Sequence, residues 1–359
     1  MTIPVAVDTH DALLAWLRET DADHLGVLYA EADRVRQERV GAEVHLRGLI
    51  EFSNHCARAC TYCGLRAANA GVERYRMPAE EILECARQAR SFGYGTVVLQ
   101  SGEDPGMTAD WMAHLIRAIR AETGLAVTLS VGERSREDLA AWREAGADRY
   151  LLRFETSNAE LFRRIHPPAA QGGRNRFDVL SDLRALGYEV GSGVMIGIPG
   201  QTYDDLARDL ETFRELDLDM IGCGPWIEHP ATPSAGMEPA PAGTQVPASE
   251  DMVYKVIALA RLVCPDANIP ATTALATLNK AQGRELGLAR GANILMPNCT
   301  PVQYRRMYEI YPAKVCIDET AIACQGCMRR RVESIGRTVG RGAGPSRNLL
   351  RKSPVTPSS

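Results

Sequence analysis

The sequence predicts an α/β fold, a complete (β/α)8 TIM-type barrel with N-terminal helices and a C-terminal extension. Three observations point there. Eight short β-rich runs alternate with longer amphipathic stretches, 359 residues suit one barrel with additions, and polar residues gather where the runs end. Such alternation implies parallel pairing through crossovers. An open doubly wound sheet stays as the alternative, because counting strands does not prove closure.

The elements follow in order. Residues 9–40 read as two helices, "DALLAWLRE" and "LGVLYAEADRVRQERV", and 1–42 form an N-terminal helical segment. The barrel spans 43–300. Its runs are 44–53, 95–101, 125–131, 148–155, 189–199, 218–225, 267–274 and 292–298. Between them, stretches such as "PAEEILECARQARSFG" and "YDDLARDLETFRELD" read as helices with acidic first turns. The loop 226–251 carries five prolines and reads as a lid or a disordered insertion, its place at the top face favouring a lid. A C-terminal extension covers 301–340. The last stretch, 341–359, has Arg341, Arg347, Arg351 and Lys352 but no acidic residue, and reads as a disordered tail.

Composition narrows the function classes. With 45% hydrophobic residues the chain can bury a large core without disulfides. A net charge of -4 does not suit a nucleic-acid binder. No run approaches a membrane span, and Asp8, Asp11, Arg18 and Glu19 are unlike a signal peptide. The ten cysteines are therefore expected in a reducing cytoplasm, where clustered thiols bind metal or do chemistry.

The chemistry centres on "NHCARACTYCGLR", residues 54–66, just past the first run. Cys56, Cys60 and Cys63 form C-x3-C-x2-C, with Tyr62 before the last. Zinc sites pair two C-x2-C units, a grammar absent here. A [4Fe-4S] cluster ordinarily takes four protein thiolates, so three leave one iron open to a small molecule. Further polar strand ends follow: Gln100-Ser101-Gly102-Glu103-Asp104, Arg153 with Glu155, Pro199-Gly200-Gln201-Thr202, and Thr272 with Thr273. A redox-only cluster or a structural metal knot has no use for them. Near the C-terminus, Cys316, Cys324 and Cys327 form C-x7-C-x2-C, which fits a second iron–sulfur cluster or a surface zinc knot. Cys85, Cys223, Cys264 and Cys299 sit in apolar segments and read as structural.

The cysteine spacing with its aromatic resembles the radical S-adenosylmethionine (SAM) superfamily. The stretches "EFSNHCARACTYCGLRAANAGVERYRM", "VVLQSGEDP", "VMIGIPGQTYDDLARDL", "LDLDMIGCGPWIEHPATP" and "NILMPN" are similar to the HydE family of [FeFe]-hydrogenase maturases, over about residues 40–340. Biotin synthase and methylornithine synthase share the layout and fit "LQSGEDP" and "GPWIEHPATP" less well. The resemblance implies that Cys56, Cys60 and Cys63 hold a [4Fe-4S] cluster, and that Tyr62, Gln100, Ser101, Glu155, Arg174, Met296 and Tyr308 bind SAM. A carboxylate and a guanidinium suit the zwitterionic end of that cofactor. It further implies that Thr128, Arg153, Thr272 and Thr273 face the substrate, a small cysteine-ligated iron species from another hydrogenase maturase. An electron donor of ferredoxin or flavodoxin type completes the partners. The rival readings are a methylornithine-synthase or biotin-synthase type of enzyme and a non-catalytic iron–sulfur scaffold. For Glu155 a strand-end pair with Arg153 stays open, for Arg174 a solvent-facing helix start, and for the threonines backbone capping. His229 reads as an incidental loop histidine.

Overall fold

A computed structural model describes residues 5–168, 173–233 and 237–352. Its strands are β1 (Glu43–Ser53), β2 (Thr96–Ser101), β3 (Ala126–Ser130), β4 (Arg149–Leu151), β5 (Glu189–Ser192), β6 (Met195–Ile196), β7 (Met220–Ile221), β8 (Gly224–Pro225), β9 (Ile294–Leu295) and β10 (Thr338–Val339). The main sheet is parallel and curled, in the order β10-β1-β2-β3-β4-β5-β7, with β9 also on β1. A two-stranded piece, β6-β8, continues two of the runs beyond the main sheet. Single parallel bridges join Met220 to Asn268 and Pro270 to Ile294.

β1 is long and buried from Leu46 onward, because helices and neighbouring strands cover both its faces. The helix Ala79–Ser91 buries Ile82, Leu83 and Ala86, positions spaced to share one face. The helix Tyr203–Glu215 opens with a capping box between Thr202 and Asp205. The two N-terminal helices fall at His10–Arg18 and Ala22–Val40, capped by Thr9 and Asp21. Lys255 ties the first of them down by donating to the Leu17 carbonyl at 3.0 Å.

Within the 341–359 stretch, residues 341–352 depart from the expected disorder. Residues 341–352 are packed beneath the sheet, with Ser346 fully buried and a helix at Arg347–Lys352; 353–359 lie outside the described residues. Buried cations hold them there. Arg47 donates to the Gly344 carbonyl and Arg149 to that of Ala343, each at 3.0 Å, while Ser346 N donates to Glu189. Ending the chain after Gly340 would strip two guanidiniums of their carbonyls. We expect the denaturant midpoint of the metal-free chain to fall by the equivalent of about 3 kcal/mol, at about 1.5 for each charged hydrogen bond. An unchanged midpoint would show that the segment contributes nothing.

Candidate functional site

The three-cysteine loop has no regular structure, so its shape comes from hydrogen bonds to its surroundings. Arg74 reaches through it, donating to the carbonyls of Asn54 (2.6 Å), Leu65 (2.8 Å) and Arg66 (2.9 Å). Asn54 donates to Glu73 and Met307 carbonyls, both at 2.7 Å. Backbone bonds run from Ala57 to Glu103, from Thr61 to Ile165 and from Gly64 to Ile310. Two glycines are obligatory for this packing: a Cβ on Gly102 would lie 2.3 Å from the His55 carbonyl oxygen, and one on Gly64 2.2 Å from that of Glu309. The loop is thus clamped between the β2 end and the C-terminal extension.

Cys56 and Cys63 open onto a cavity of about 370 Å³, while Cys60 is buried behind them. Burial holds all three thiols above their ordinary range, Cys63 at about 12, so a metal taking them as thiolates must displace protons. Three thiols in one loop fall one short of the four protein ligands that a closed zinc site takes. Tetrahedral zinc with 2.3 Å bonds needs sulfurs about 3.8 Å apart. Among the described residues, the triad whose ligand atoms all lie within 4.8 Å of one another is Glu103, Glu133 and His166, and neither cysteine set converges so closely.

Glu155 faces the thiols from past the end of β4. Its backbone is in the left-handed region at φ 65°, strained for a glutamate, and is pinned by a hydrogen bond to the Gly193 carbonyl. Arg153 pairs with its carboxylate at 2.7 Å, and Tyr62 donates to it at 3.4 Å. Tyr62 in turn lies 6.0 Å from the Trp226 ring. Gln100 donates to the Tyr308 hydroxyl at 3.4 Å. Thr128 and Arg153 line the cavity, and Thr128 Oγ1 and Arg153 Nε are buried without hydrogen-bond partners.

The comparisons with known proteins bear on this arrangement. The Radical SAM superfamily model matches residues 50–213. The [FeFe] hydrogenase maturase subunit HydE of Thermotoga maritima is 46% identical over 342 residues, 95% of each chain. The chain belongs to the HydE family. Beyond it, 3-methylornithine synthase of Methanosarcina acetivorans is 28% identical over 287 residues, 79% of this chain and 78% of that one. A crystal structure of methylornithine synthase superposes with TM-score 0.78 at 26% identity, covering 93% and 94% of the two chains. The maturase HydG superposes at 0.74 with 18% identity, covering 91% of this chain and 71% of its own, a likeness of fold.

Most residues expected at a HydE-family site do meet in the cavity. Tyr62, Gln100, Ser101 and Glu155 line it near the cysteines, with Met296 and Tyr308. Thr128, Arg153, Thr272 and Thr273 line it as well. Thr272 is also engaged as a helix N-cap, accepting from Leu275 N at 3.3 Å. Arg174 is not brought in: its guanidinium is paired with Asp182 and donates to the Arg134 carbonyl. Besides Arg153, the arginine that nears Glu155 is Arg176, 3.9 Å away and buried. Cys316 and Cys324 line the cavity's C-terminal wall, whereas Cys327 does not. Hydrogen bonding to Cys324 pulls the Cys316 thiol down to about 6 and pushes its partner up, with Arg284 Nη2 3.6 Å from the Cys316 sulfur.

Sequence reasoning missed Glu51 and Lys314, and read His229 as incidental. Glu51 and Lys314 form a buried ion pair on the cavity wall. His229 is buried against Gly64, 3.6 Å from Glu309, so the loop after β8 packs over the cysteines. A charge inside the apolar β1 run was the available signal for Glu51. Among the described residues, no helix is long and apolar enough to cross a membrane.

Proposed function

We propose that this chain is a radical SAM maturase that acts in assembly of the di-iron subcluster of [FeFe]-hydrogenase. The observation that carries the reading is the cysteine loop opening on a cavity whose facing wall bears Glu155, in a chain 46% identical to a maturase subunit along 95% of its length. Cys56, Cys60 and Cys63 would hold a [4Fe-4S] cluster; when bound, it supplies the electron that cleaves the SAM sulfonium and yields a 5′-deoxyadenosyl radical. Glu155, already oriented by Arg153 and Tyr62, would accept from the ammonium of the methionine end. Arg153 and Arg176 offer the positive charge for its carboxylate, and Arg174 would serve only by leaving Asp182. Gln100, Ser101, Met296 and Tyr308 would complete the cofactor wall, and Thr128, Thr272 and Thr273 the substrate end.

The substrate is a small cysteine-ligated iron species carrying CO and cyanide, delivered by another maturase, with a ferredoxin or flavodoxin as reductant. Closure of the sheet through Asn268 and Pro270 into a complete barrel would shield the radical from water, and the two single bridges there support it. Cys316, Cys324 and Cys327 are proposed as the ligands of a second iron–sulfur group. A reducing cytoplasm is the proposed compartment, a reading that ten unpaired cysteines support.

The test is a cell-free hydrogenase maturation mixture lacking its HydE-family member. Adding the reconstituted chain should restore hydrogen evolution. If 5′-deoxyadenosine forms without that rescue, a synthase-type radical enzyme replaces this reading.

A further inference from the structure

Glu103, Glu133 and His166 bring two carboxylates and an imidazole together within 4.8 Å, beside the cysteine loop. A metal ion is not the natural occupant, because two guanidiniums already engage these atoms. Arg58, midway between Cys56 and Cys60, donates through Nε to Glu103 and through Nη2 to Glu133. Arg176 donates through Nε to the other oxygen of Glu133 at 3.1 Å, and its Nη2 meets His166 Nε2 at 2.7 Å. The same Arg176 lies 3.9 Å from Glu155 through Nη1, which also donates to the Arg153 carbonyl. Burial, then the neighbouring Arg176, pushes His166 down to about 3, so it stays a neutral acceptor.

These contacts form one chain of connection: cysteine loop, Arg58, Glu133, Arg176, Glu155. Glu133, three residues beyond β3 and with its side chain 6% exposed, accepts from both guanidiniums. The charges balance, with Glu103, Glu133 and Glu155 against Arg58, Arg153 and Arg176. The buried pairs Arg58–Glu133 and Arg176–Glu133 resist rearrangement, since parting one strands a charge.

We propose that Glu133 is a positioning residue that fixes the spacing between the cysteine loop and Glu155 by bridging Arg58 to Arg176. The inference rests on the radical SAM reading above. Glu133 is not among the residues that line the cavity. It sets how well the open iron and the Glu155 carboxylate can take the two ends of one methionine group at once. Its loss therefore weakens SAM binding while leaving the thiols able to load iron.

The experiment compares reconstituted wild-type chain with Glu133→Gln. Readouts are iron per chain, electron paramagnetic resonance of the reduced cluster titrated with SAM, and KM and kcat for 5′-deoxyadenosine. The expected result is unchanged iron, a KM for SAM raised about 10- to 100-fold, as for loss of an outer partner of a metal site, and a much smaller change in kcat. The SAM-induced spectral change should shift to higher SAM in step with KM. Arg58→Lys keeps the charge but cannot fork onto both carboxylates, so it should reproduce this split and serves if Glu133→Gln does not fold. Wild-type KM and spectra in both variants overturn the proposal. So does a parallel fall in iron, kcat and melting midpoint, which marks a merely structural role. If the wild-type chain itself makes no 5′-deoxyadenosine, the radical SAM reading fails first and this inference goes with it.

Discussion

Cys60→Ala should form 5′-deoxyadenosine only at background, a loss of more than about 100-fold, the upper end of what losing even an outer partner of a metal site costs. The reason lies in the donor set. The loop supplies three thiols, and two leave a second iron without a protein ligand. Cys60 is the buried one, 8% exposed, so neither water nor a small thiol can readily replace it. The fold should tolerate the change, since alanine removes one sulfur beside a loop held by Arg74 and Asn54. Iron per chain, the reduced-cluster spectrum and the melting midpoint of the metal-free chain read the three parts separately. If the variant matched the wild type in product, the three-thiol reading of the site would be wrong.

What the sequence made legible is what is local in it. The cysteine loop, Gln100, Ser101 and Glu155 are short-range patterns at run ends, and all but the buried Cys60 line one cavity. The eight runs were visible because apolar β-rich stretches alternate with helical ones. Their lengths were not. The fourth run is a regular strand only over Arg149–Leu151, and Glu155 beyond it has a left-handed backbone. The seventh contributes single bridges at Asn268 and Pro270, and a proline has no N–H to offer a ladder.

Side-chain direction was the harder quantity. Arg174 and Arg176 are two residues apart in "GGRNR", with equal chemistry. Asn175 decides between them by capping the helix Arg176–Ala185, which places Arg176 as the first helical residue, buried, and leaves Arg174 outside to pair with Asp182. The C-terminal stretch shows the same limit. Its basic composition says nothing of the carbonyls of Ala343 and Gly344, which are what Arg149 and Arg47 bind.

Glu51 and Lys314 lie 263 positions apart, and their pairing leads to the second large effect. Glu51→Ala should destabilise the chain by about 3–5 kcal/mol, because it strands a buried ammonium. Glu51 is 1% exposed and Lys314 6%. The carboxylate also accepts from Asn298 at 3.0 Å, and the ammonium donates to the Tyr308 carbonyl at 3.3 Å and lies 5.0 Å from that ring's centre. One pair therefore fastens the C-terminal extension to β1 and seats Tyr308 against Gln100 on the cavity wall. The double variant Glu51→Gln, Lys314→Met removes both charges at similar volume and should recover most of the lost stability, as replacing a whole buried pair often does. Function need not recover with it. Methionine cannot donate to the Tyr308 carbonyl, so the Tyr308 wall loosens even where the fold is restored. Urea midpoints for the singles and the double, set beside KM for SAM, separate the two effects. Equal costs for each single variant and their sum in the double would mean that the pair is not coupled, and that the extension is held by its other contacts.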